Sequence, residues 1–101
     1  MVIVYLALAA VLEVSGDYLM RVGLGGRRWG LMAGACALVA YGLLVNRPAW
    51  GFGRTLGLYI AIFFVVSQIM AFLAAGERPS ASLWLGGALV VAGGLVIHVG
   101  Q

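Results

Sequence analysis

Four long apolar runs, separated by short stretches of glycine, proline and charge, leave this chain few ways to fold. The first run extends from Val2 to about Leu24 and stops at GGRR. The second extends from about Trp29 to Val45 and stops at NRPAWGFGR. The third covers about Thr55 to Ala75, ends at GERPS, and is followed by a fourth from about Ala81 to Gly100. A helix needs roughly 20 apolar residues, with a range of about 17–25, to cross the hydrocarbon of a bilayer. All four runs meet that requirement, the second at the short end. Segments in lipid must satisfy their own backbone hydrogen bonds, and four are too few to close a barrel, so they are helices. The chain is therefore expected to be an all-α membrane protein. Residues 1–101 form a single transmembrane domain, with helices near 2–24, 29–45, 55–75 and 81–100 and short loops.

Composition agrees. The chain is 64% hydrophobic and 9% charged, where soluble domains are about 45–50% apolar and about 25% charged. The six basic residues, Arg21, Arg27, Arg28, Arg47, Arg54 and Arg78, are scattered apart from one adjacent pair. They make no nucleic-acid patch, so no nucleic-acid partner is expected. The single Cys36 reads as a small buried hydrophobe. No basic residue precedes the first run, and two acids interrupt it. It reads as a mature membrane helix rather than a signal peptide.

Trp29, Trp50 and Trp84 stand at run ends or in a loop, as interfacial anchors do. His98, close to the end of the fourth run, reads as an interface residue. Loops 1 and 3 hold Arg27, Arg28 and Arg78, and loop 2 holds Arg47 and Arg54. So even a balance gives little orientation bias, which would let two copies pair antiparallel. Glycine is abundant, at 16 residues, and small residues let membrane helices approach closely. In GGALVVAGG, Gly86 and Gly93 are spaced by seven, as are Gly87 and Gly94, and Gly100 extends the first series. Seven residues is close to two turns, so each series marks a flat strip. Two readings stand: contact between protomers, or packing within one.

The first run contains the chemistry, in AAVLEVSGDYLMRVG. Glu13 lies near the bilayer midplane, and Asp17 and Arg21 follow at steps of four on the same face, with Gly16 beside them. Arg21 is about 12 Å from Glu13 along the axis. It is placed to pair with Asp17 or to snorkel to the interface. Glu13 has no basic residue within one turn of its own helix. A charged group at the midplane costs roughly 2.5–3.5 kcal/mol on insertion scales. Loss of water and a nearby acid both favour the protonated carboxyl. Glu13 is thus a candidate proton carrier that could hold a cation in exchange. Asp17 reads equally as a second binding group or as the partner of Arg21, for which a structural role leads. The third run brings Tyr59 and Phe63 at i,i+4, whose faces suit an organic cation or simple packing, then Ser67 and Gln68 as supporting polar groups. No nucleophile–base set, metal-ligand spacing or phosphate loop occurs. Neither an enzyme nor a metal or cofactor site is expected.

The stretch EVSGDYLMR resembles the first helix of the small multidrug resistance family, through Glu13, Val14, Gly16, Leu19, Met20 and Arg21. GERPSASLWLGGALVVAGGLVI is similar to that family's third loop and glycine-rich fourth helix. The third run departs from it: LGLYIAIFF stands where other branches carry Ala-Tyr-Ala-Ile-Trp, which puts Leu56 at the Tyr position and Tyr59 at the Trp position. Asp17 falls where a small neutral residue is more usual. Pro48, Ala49, Gly53, Arg54, Tyr59 and Trp84 look closer to the family's YnfA-like branch. The resemblance implies a proton-coupled antiporter in the bacterial plasma membrane, exporting small or lipophilic cations. It also implies an antiparallel, dual-topology homodimer whose two Glu13 carboxylates share a cavity, with Gly86, Gly87, Gly93 and Gly94 as candidate dimer contacts. Two other readings remain: a non-transporting accessory subunit, and a flippase subunit for anionic lipid headgroups using Arg21 or Arg54.

Overall fold

Hydrogen-bonding rules and small residues build two antiparallel helical hairpins. The computed structural model describes residues 2–47 and 50–100. Pro48 and Ala49, part of the second-loop resemblance, lie outside the described residues, as do Met1 and Gln101. The described helices are α1 (Val2–Leu24), α2 (Trp29–Val45), α3 (Phe52–Ala75) and α4 (Ala81–Gly100). Helices α1, α3 and α4 are long and apolar enough to cross a membrane, and α2 is a shorter apolar helix. The protein is a four-helix membrane protein. Its large apolar side chains point outward in numbers that water would not accept, Leu24, Met32, Leu43, Leu73 and Val99 among the most exposed. Cys36 also lies on this outer surface rather than in a core. Lipid accepts such a residue as readily as a protein interior, so apolarity of the run does not fix its burial.

The first hairpin, α1 with α2, is closed by glycine. At the end of α1 the Gly25 N–H donates to the Arg21 carbonyl, and the Arg27 N–H donates to that of Val22. Gly26 turns the chain at φ 124°, where a side chain would be strained. The helices then meet along Gly16, Gly23, Gly30 and Gly34. A Cβ on Gly30 would stand 2.6 Å from the Leu19 carbonyl oxygen, and one on Gly34 would stand 2.8 Å from that of Gly16. Backbone therefore rests on backbone, with Met20 and Leu38 filling the flanks. At its far end, α2 is closed by the Asn46 side-chain amide, which donates to the Gly42 carbonyl at 2.9 Å.

The second hairpin, α3 with α4, turns at GERPS. Gly76 takes the left-handed conformation at φ 68°. Its N–H donates to the Phe72 carbonyl and that of Glu77 to Ala71, closing α3 as C-terminal glycines do. Ser80 then starts α4, its hydroxyl accepting from the Leu83 N–H at 3.2 Å. Gly87 lies under the Phe64 ring and Gly94 against the Ala61 methyl, while the Ile97 side chain covers Gly57. Gly86, Gly93 and Gly100 face open space. The two seven-residue series thus point different ways, one into its own hairpin and one out of it.

Three helix limits coincide with the apolar runs, but α3 begins at Phe52 rather than near Thr55. The extra turn is made by Phe52, Gly53 and Arg54. These interrupt hydropathy without interrupting helix, because the backbone bonds of a first turn reach forward and the Thr55 N–H already finds the Gly51 carbonyl.

Candidate functional site

Gly16 is one of the buried points of α1 against α2. Each helical residue advances about 100°, so Glu13 stands about 60° round from Gly16, Asp17 about 100° and Arg21 about 140°. Exposure follows that order: Glu13 is half-buried, and Asp17 and Arg21 are exposed. Among the described residues no ion pair joins Asp17 to Arg21.

The face of α2 that meets this site holds a residue the sequence reading passed over. Tyr41 lies seven positions beyond Gly34, about 20° off the strip that touches α1. The antiparallel register, with Leu38 at Gly16 and Leu31 at Gly23, brings Tyr41 to the level of Glu13. There it is half-buried and within electrostatic reach of both Glu13 and Asp17. Loop length could have revealed it. A hairpin turning at residues 25–28 sets position 13 opposite about position 40.

Two carboxyls one turn apart and a phenol on the facing helix make a place where charge is shared. Each carboxyl can hold a proton or face a cation. The phenol can donate a hydrogen bond to a carboxylate or accept one from a carboxyl.

The remaining candidates lie on the second hairpin. Tyr59 is only 4% exposed. Its ring meets that of Phe63 at 5.9 Å between centroids, inclined by 43°. Such a tilted pair is stabilising in itself. The Ser67 hydroxyl donates to the Phe64 carbonyl at 2.7 Å, so its proton is committed within α3. Gln68 brings an amide to an otherwise apolar pocket of about 380 Å³, lined also by Phe64, Leu83, Trp84 and Gly87. The candidates therefore fall into two sets, ionisable on the first hairpin and aromatic on the second.

The chain is 36% identical over 93 residues, 89% of its length and 84% of the relative's, to a UPF0060 membrane protein of Ectopseudomonas mendocina. It is 35% identical over 97 residues, 93% and 90% of the two lengths, to one of Cupriavidus pinatubonensis. It is 41% identical over 75 residues, 71% and 69%, to one of Mycolicibacterium gilvum. No family model matches the chain. No solved structure matches it.

Proposed function

The chain belongs to the UPF0060 membrane protein family, and from that premise we propose that it is a proton-coupled antiporter related to the small multidrug resistance family. It exports small or lipophilic cations across a bacterial plasma membrane. The observation that carries this reading is the placement of Tyr41 at the level of Glu13, within electrostatic reach of Glu13 and of Asp17 one turn away, in a tightly packed membrane hairpin. A carboxyl pair at that depth binds either a proton or a cation, and exclusive occupancy is what couples two fluxes. Glu13 is the exchanging group, Asp17 tunes it, and Tyr41 positions it. Phe63, backed by the buried Tyr59 ring, supplies aromatic surface for the organic part of the cation. Two copies, paired antiparallel, enclose the substrate path.

The test is electrogenic current from proteoliposomes on a solid-supported membrane, perfused with quaternary ammonium, guanidinium and polyamine cations. Glu13→Gln runs beside the parent, and a pH-sensitive dye registers electroneutral exchange. A cation-dependent signal that disappears in Glu13→Gln is expected. Silence of the parent in both assays would overturn the transporter reading in favour of an accessory subunit or a lipid substrate.

A further inference from the structure

Loop 2 leads into an aromatic and cationic cluster that the transport reading does not use. The Arg54 guanidinium lies over the Trp50 ring, 3.5 Å from its centroid. The Trp50 ring in turn stacks on His98, 6.3 Å between centroids at 29°. The cluster thus ties the start of α3 to the end of α4, at one membrane edge of the second hairpin.

We propose that this cluster binds the phosphate of an anionic lipid headgroup. Four observations converge on it. First, the cation lacks a counter-charge in its own hairpin: Glu77 is the one acid between residues 50 and 100, and it lies beyond the opposite end of α3, roughly 30 Å away along the axis. Second, the Arg54 Nε and the adjacent Thr55 Oγ1 are both buried without a hydrogen-bond partner among the described residues, and Thr55 is only 6% exposed. Third, α3 starts at Gly51 with no side-chain cap and no acid in its first turn, so no side chain takes up the backbone N–H groups there. Fourth, the place is right. The end of a 24-residue apolar helix meets the layer where lipid phosphates stand, and Trp50 belongs to the same layer.

Stacking occupies one face of the guanidinium and burial closes off Nε, so the Nη end is left to donate. That end is the part that grips a phosphate through paired N–H groups. Trp50, backed by His98, holds that end in place before the ligand arrives. A lipid is favoured over a free phosphate because the bilayer presents its headgroups at this depth continuously, and the acyl chains lie in the medium around the hairpin.

Purified full-length protein in detergent tests this, in a Trp29→Phe, Trp84→Phe background that leaves Trp50 as the sole tryptophan, excited selectively over tyrosine. Short-chain phosphatidylglycerol, phosphatidylcholine and inorganic phosphate are titrated separately. Phosphatidylglycerol should give a saturable change in Trp50 emission, with phosphatidylcholine and inorganic phosphate far weaker. Arg54→Gln should weaken phosphatidylglycerol binding roughly tenfold, and Arg78→Gln at the opposite end should leave it unchanged. Equal response to phosphatidylcholine, or equal loss in Arg78→Gln, overturns the site. Reproduction of the curve by inorganic phosphate makes it a free-anion site and overturns the lipid assignment. Arg54→Lys, which keeps the charge and loses the planar fork, covers a failure of Arg54→Gln to fold. Unimpaired binding in Arg54→Lys overturns the stacked-fork geometry.

Discussion

In the first hairpin glycines on both helices meet, Gly16 against Gly34 and Gly23 against Gly30. In the second, glycines of α4 receive side chains of α3, Phe64 at Gly87 and Ala61 at Gly94. Lipid supplies no hydrophobic force between helices, so both hairpins are held by close packing. The difference lies in what can move. Backbone against backbone has no rotamer to adjust, and it fixes the register that sets Tyr41 beside Glu13. A ring over a glycine can turn. The ionisable residues stand in the stiff hairpin and the aromatic pair in the adaptable one.

This contrast can be broken in order of effect. Glu13→Gln has the largest, complete loss of cation-dependent current. Gly30→Ala comes next: its methyl meets the Leu19 carbonyl and the Gly23 backbone, and overpacking of that kind costs about 1–3 kcal/mol. Thermal denaturation in detergent, followed by helical circular dichroism, should show it clearly. If Gly30→Ala leaves the melting midpoint unchanged, the first hairpin is not stiff. Tyr41→Phe should slow transport by roughly three- to tenfold, as loss of one ordinary hydrogen bond does, with little change in melting. Tyr18→Phe, on the exposed side of α1, is its control, and equal slowing in both would remove Tyr41 from the site. Gly87→Ala should cost under about 1 kcal/mol, because the Phe64 ring can rotate away. Gly86→Ala meets nothing within its own chain and should leave the melting of the monomer unchanged. A shift toward monomer in crosslinking or sedimentation would then place that face against a second copy, and no shift would take Gly86 out of the dimer contact.

The helices were legible because apolar runs ended by Gly, Pro and Arg coincide with the requirements of a membrane span. The start of α3 was less so, since Phe52–Arg54 read as loop by polarity while their backbone is helical. Glu13 announced itself as an acid in an apolar run. Tyr41 did not, because α2 is apolar all round and offers no periodicity to separate its faces. Which glycines face inward was equally hidden: Gly86 and Gly87 are neighbours in sequence, and only the position of Phe64 distinguishes them.

The brevity of α2 has an electrical consequence. Its 17 residues span about 25 Å, against a hydrocarbon thickness of about 30 Å. Where the bilayer narrows to meet it, the transmembrane voltage falls over a shorter path, and the local field steepens by about one fifth. Moving one elementary charge through 100 mV is worth about 2.3 kcal/mol wherever the drop occurs. A narrowed section concentrates more of that work per ångström on the helix pair that holds Glu13. The short helix would then act as a lens for the membrane potential around Glu13.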